Sequence, residues 1–253
     1  MTHEDTGFWA FFRENLWLFL GFLLALGVFV AGLNVMLDQS QDDPGARENA
    51  AAPSDAVRLG PEPGQELGPY ITERTELLSG LAASISSRED VAVVSFDVYE
   101  RKSIVESVED SGVEIVFILV RVPLGHAIGE VIGVPPDPPL SVLGRWRERA
   151  LKSHTDEVLA LEEIIPTVRG EDFRKTYLED LELNRQAVEL LSARDPAVIY
   201  GLVVNGAYSE LKALTGLQGV RHVDIPEGRR GAKSYEFVGL RPEWEDSVPE
   251  NVS

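Results

Sequence analysis

Residues 16–37 read LWLFLGFLLALGVFVAGLNVML, 22 residues without a charge, in which Asn34 is the one strongly polar side chain. As a helix the run would be about 33 Å long, against a bilayer hydrocarbon core of about 30 Å. It holds eight Leu, three Phe and three Val. At about 0.3–0.6 kcal/mol each, they favour insertion by roughly 4–8 kcal/mol. A soluble core helix of this length would carry a polar stripe, and none is present. Phe8, Trp9, Phe11, Phe12 and Trp17 gather at the entry side, where aromatic rings prefer the membrane interface. The expectation is a transmembrane helix over Leu16–Leu37 in contact with membrane lipid.

A cleaved signal peptide would have an apolar run of about 7–15 residues and a nearby small-residue exit. Here the run is longer, and Ala50-Ala51-Ala52 lies far downstream, so an uncleaved signal anchor is expected. Arg13 precedes the span while Asp38, Asp42 and Asp43 follow it. The basic side faces the cytoplasm. Residues 1–15 are therefore expected as a short cytoplasmic tail, and the remainder as an exported domain of a single-pass plasma-membrane protein. Gly21, Ala25 and Gly32 share a helix face, as do Gly27 and Ala31, a spacing that allows close helix approach and dimerisation.

The formal charge of −19 disfavours nucleic acid, which needs a basic footprint, and favours a cationic partner on average. No cysteine is present, which excludes disulfides, iron–sulfur clusters, thiolate zinc and a cysteine nucleophile. An exported domain without disulfides points to a bacterial source. Hydrophobic residues make up 44% of the chain, enough for a core.

Residues 38–69 are rich in Pro, Gly, Ala and acids, and read as a flexible stalk. A helix is expected over Ile71–Ile85 through Leu77, Leu78, Leu81 and Ile85. Two similar segments follow, one from Val91 to Pro123 and one from Ala197 to Pro226. Each opens with a β-branched run, continues into a short helix, and reaches a glycine (Gly112, Gly219) before a Val-initiated strand. Glycine there suits a left-handed helix terminator. Ser103 with Glu106 reads as a capping box and Ser209 as a second cap. Two such βαβ units, at 91–122 and 197–226, imply a split βαβ, ferredoxin-like α+β domain over 70–241. Its helix faces would be Ile104, Val105, Val108 and Leu211, Leu214, Leu217.

Between the units, Pro135 to Pro139 stiffens the chain, and two long helices are expected, Leu140 to Ile165 and Phe173 to Leu191, as an antiparallel hairpin. This helical insertion covers 140–192. Trp146, Phe173 and Tyr177 read as core, or else as partner anchors. SYEFVGLRP near the end reads as an edge strand or strap, and residues 242–253 as a disordered tail.

The second βαβ segment, through Val203, Leu211, Leu214, Gly219, Val220 and Val223, resembles the βαβ halves of subtilisin-propeptide-like inhibitors. It is also similar to the extracellular domain of FtsX-type cell-division permeases. The order of anchor, acidic stalk, split sheet and helical insertion resembles uncharacterised membrane-anchored proteins of high-GC bacteria. These resemblances imply fold and tethering, with a protease-inhibitor role as one alternative; they bring no catalytic residues.

Chemistry-bearing motifs are sparse. His3, His126, His154 and His222 show no metal-ligand spacing. His222 and Asp224 share a strand face and read as a surface contact. Ser209-Glu210-Leu211-Lys212 matches S-x-x-K without the partner motifs of penicillin-binding enzymes, and Ser209 is better placed as a cap. The carboxylate pairs Glu162–Glu163 and Asp180–Glu182 are interleaved with bases on helix faces. Gly125, Gly129 and Gly133 do not space as a phosphate loop. No catalytic, cofactor or metal residue is assigned. The expected function is a membrane-anchored extracytoplasmic binding or scaffolding module with a protein partner; an uncommon hydrolase is a further alternative.

Overall fold

The computed structural model describes residues 57–124, 129–226 and 235–250. The expected span Leu16–Leu37, the residues 1–56 around it, His126 and Gly125 lie outside the described residues. Among the described residues no helix is long and apolar enough to cross a membrane.

The described body is mixed α+β. In chain order it comprises β1 (Val57–Leu59), α1 (Leu67–Ser84), β2 (Glu89–Glu100), α2 (Ser103–Glu109), β3 (Glu114–Val120), β4 (Glu130–Gly133), α3 (Pro139–Ile164), a single 3₁₀ turn (Ile165–Thr167), α4 (Glu171–Ser192), β5 (Ile199–Ala207), α5 (Tyr208–Leu214), β6 (Val220–Asp224) and β7 (Tyr235–Phe237). Five strands form one sheet in the order β4-β3-β5-β2-β6, with antiparallel neighbours throughout. The central strands β5 and β2 come from different βαβ segments, which interleaves the two units. β1 and β7 form a separate parallel pair.

The central strands read as continuous apolar runs because both faces of the sheet are covered. On one face Ala92, Val94, Phe96, Ile118, Leu202 and Val204 pack against Leu78 of α1, Val105 of α2, Leu211 of α5, and Trp146 and Leu191 at the base of the α3–α4 pair. On the other, Val93, Leu119, Tyr200 and Val203 pack under Leu59, Tyr235 and Phe237. Gly112 follows α2 at φ 89°, the left-handed region that side chains resist, whereas α5 ends at Leu214 and the expected terminator Gly219 sits at φ 88° five residues later, in the turn that enters β6.

Four further expectations about the folded body need correction. The stalk ends earlier than residue 69, because Val57–Leu59 is already paired and α1 begins at Leu67. Pro69 sits in the first turn of α1, where its missing N–H costs nothing. Ser103 does not cap α2: the chain has already turned at Arg101–Lys102, and Ser103 lies inside the helix with its carbonyl accepting the Ser107 hydroxyl. Ser209 does not cap α5; it is the second helical residue, and its hydroxyl donates to the Ser86 carbonyl. The Glu210 carboxylate closes that helix start by accepting the Ala207 N–H at 2.8 Å.

The fourth correction concerns the tail. Residues 242–250 pack in place. Trp244 and Val248 are buried with Leu67 and Leu240 in a small cluster of their own. Leu67 N–H donates to the Asp246 carbonyl and Val248 N–H to the Gln65 carbonyl. Arg221 clamps the segment from β6 by donating to the Trp244 and Arg241 carbonyls.

Candidate functional site

The buried polar groups come first, since catalytic sites concentrate them. His222 and Asp224 are each 3% exposed, which corrects the expected surface contact. Asp224 accepts the Tyr70 hydroxyl at 2.6 Å and faces the Arg74 guanidinium at 3.5 Å. Backbone N–H groups of Gly60 and Ile225 also point at its carboxylate. Arg74 lies over the Tyr70 ring, and that ring meets the His222 imidazole edge-on at 5.8 Å.

Burial disfavours charge, so it raises Asp224 from 3.8 to about 6 even though Tyr70 and Arg74 pull the other way. Burial, then the fields of Arg74 and Arg221, lowers His222 from 6.5 to about 4. The Tyr70 hydroxyl is pushed well up by burial and by the neighbouring carboxylate. These four residues join α1 to β6, with Tyr70, His222 and Asp224 buried and Arg74 partly so.

A second polar knot joins Arg121 after β3, Tyr99 of β2 and Glu243 of the tail. Arg121 donates to the Tyr99 hydroxyl at 2.7 Å and pairs with Glu243, whose other oxygen accepts the Tyr99 hydroxyl at 2.9 Å. It fixes the tail to the sheet. The other sequence candidates are dispersed. Glu162 pairs with Arg185, Glu182 accepts the Gln186 amide, and His154 shares a 2.7 Å hydrogen bond with Asn184. No set of three or more His, Asp or Glu that could hold a metal ion occurs among the described residues.

Two features remain that face solvent. The first is the α3–α4 hairpin. Its base is part of the main core through Leu143, Trp146, Ala150, Leu151, Ala187 and Leu191. Its far half has its own hydrophobic cluster, Val158, Leu161, Ile165, Tyr177 and Leu181, separate from the main core among the described residues. From Leu151 to Ile164 this arm extends roughly 20 Å at 1.5 Å per residue. Of the expected anchors, Trp146 is core, Tyr177 is half-buried, and Phe173 is 71% exposed. Leu159 is 60% exposed, and Ile164 and Leu178 also face water.

The second feature is a groove of about 140 Å³ at the root of the hairpin. Lys102 comes from the β2–α2 junction, Leu140, Leu143, Gly144 and Arg147 from the first turns of α3, and Arg194, Asp195, Pro196 and Val198 from the α4–β5 connection. Arg147 is held in place by donating to the Leu191 carbonyl at 2.7 Å, at the negative end of α4. Asp195 accepts the Lys102 backbone N–H at 3.4 Å. The groove carries three cationic residues and one acid in a chain of net charge −19. Sequence reading missed it because three separated segments build it and none carries a motif; Arg101-Lys102, Arg147 and Arg194 look like ordinary surface charge.

No protein-family model, curated protein or solved structure matches the chain.

Proposed function

We propose that this chain is a membrane-tethered, exported module that binds a protein partner rather than catalysing a reaction. Leu16–Leu37 is its anchor in this reading, and the interleaved strand order supports a split βαβ, ferredoxin-like plan for the body with the hairpin inserted between the two units.

The observation that carries the reading is the arm. A self-contained helical hairpin projects from the core and holds Leu159, Ile164, Phe173 and Leu178 in water. Large apolar side chains grouped on one protruding element mark interaction surfaces, since burying them stabilises by about 25 cal/mol per Å². An aromatic ring at the tip is the usual anchor type at the centre of an interface.

The test is a photo-reactive amino acid in place of Phe173 in the full chain, in native membranes. A discrete cross-linked protein species is expected. The same diffuse background from Phe173 as from exposed charged positions such as Glu179 would overturn the reading.

A further inference from the structure

We infer that the groove at the root of the hairpin binds an acidic peptide segment of the partner, with one carboxylate between Lys102 and Arg194 and a neighbouring apolar side chain against Leu140, Leu143 and Val198. This rests on the protein-binding reading above and adds the chemistry of what is bound.

Four observations converge. The groove is concave and bordered by residues from three segments of the chain, held in relation to one another by the Arg147–Leu191 and Lys102–Asp195 hydrogen bonds. Its charge opposes that of the rest of the molecule. An acidic segment meets like charge on average over a chain of net charge −19 and opposite charge in this groove, so the groove attracts it where the bulk charge does not. Among the described residues neither Lys102 nor Arg194 has an ion-pair partner, which leaves both heads available; Arg194 offers the planar fork that matches a carboxylate.

The walls select size and polarity. At about 140 Å³ the groove is smaller than the roughly 300–1,000 Å³ of sites for drug-sized molecules, and suits one or two side chains of a longer chain. Leu140 is 37% exposed and shares the border with Leu143, Pro196 and Val198, so an apolar group beside the carboxylate would find apolar contact. Gly144 lies in the same wall, and a Cβ added there meets nothing within 4 Å. A side chain can therefore leave the backbone at 144 without a clash at its Cβ, and a large one there is placed to fill the groove.

The experiment uses the full chain in lipid nanodiscs and fluorescence anisotropy of a capped, fluorescein-labelled peptide of alternating leucine and glutamate. The controls are the same peptide with glutamine for glutamate, and free glutamate as competitor. The acidic peptide is expected to bind, and the glutamine peptide to bind about tenfold or more weakly. Gly144→Trp and Arg194→Glu should each lower affinity about tenfold while leaving the thermal midpoint and the Phe173 cross-link unchanged.

Equal binding of the two peptides, or no effect of Gly144→Trp, overturns the inference. Displacement by free glutamate as effective as by peptide overturns it in favour of a small carboxylate ligand. Failure of the parent chain to bind the acidic peptide while its Phe173 cross-link forms defeats the groove assignment alone, whereas failure of the parent chain to form that cross-link defeats the reading on which it rests.

Discussion

The Tyr70 hydroxyl donates to the buried Asp224 carboxylate across 2.6 Å, joining the first turn of α1 to the last residue of β6. The partners are 154 residues apart in the chain, and the bond lies where α1 crosses the edge of the sheet. Removing the donor leaves a desolvated carboxylate oxygen, which costs about 1–3 kcal/mol. Tyr70→Phe is therefore expected to lower the thermal midpoint by several degrees in calorimetry, and more than Tyr99→Phe, whose hydroxyl bonds to a half-exposed Glu243.

The same cluster predicts a pH signature. Asp224 titrates at about 6 in the folded protein against 3.8 unfolded, so its contribution favours folding at low pH and is lost as pH rises from about 4 through 6. His222 titrates at about 4 against 6.5, so its contribution is present above 6.5 and is lost as pH falls from 6.5 through 4. Each is worth about 3 kcal/mol at 1.36 kcal/mol per unit, with opposite sign over the same window. In the native chain they offset one another. Asp224→Asn is expected to uncover the histidine, with stability falling by about 3 kcal/mol between pH 6.5 and 4. His222→Gln is expected to give the opposite slope. Denaturant midpoints across that range check both, and parallel profiles for the two variants would contradict the assignment.

Much of the body could be read from the chain because its signals are local. Gly112 announces a left-handed turn after α2 and Gly219 one at the entry to β6, and the apolar residues of α3 and α4 recur at helical spacing over more than twenty residues. What was not legible depends on contacts distant in sequence. Trp244 and Val248 stand singly among Glu, Asp and Pro, and only the pocket made by Leu67 and Leu240 reveals them as core. The same holds for His222 and Asp224, whose burial is created by α1. The serine caps failed for a local reason: a turn already made upstream placed both serines inside their helices.

The tail therefore bears stability. Trp244→Ala removes a buried indole and is expected to cost about 3–5 kcal/mol. For a domain of this size that is a fall of about 6–20 °C in the thermal midpoint, measurable by scanning calorimetry of the full chain. A shift under 2 °C would return residues 242–250 to the status of a loose end.

Within the arm, inward and outward positions separate stability from binding. Leu161→Ala opens a cavity in the arm's own core and should destabilise by about 2–4 kcal/mol. Leu159→Asp on the exposed side should change stability by no more than about 0.5 kcal/mol. Hydrogen exchange of the α3 amides should rise sharply in the first variant and stay unchanged in the second.

The central claim, that the solvent-facing apolar side chains of the arm bind a protein partner, is tested most directly by moving the photo-reactive group to exposed Thr176 and combining Leu159→Asp, Phe173→Asp and Leu178→Asp. In native membranes the cross-linked species should fall about tenfold or more while the thermal midpoint stays within about 2 °C of the parent. An undiminished cross-link, or one lost only together with the fold, would contradict the account.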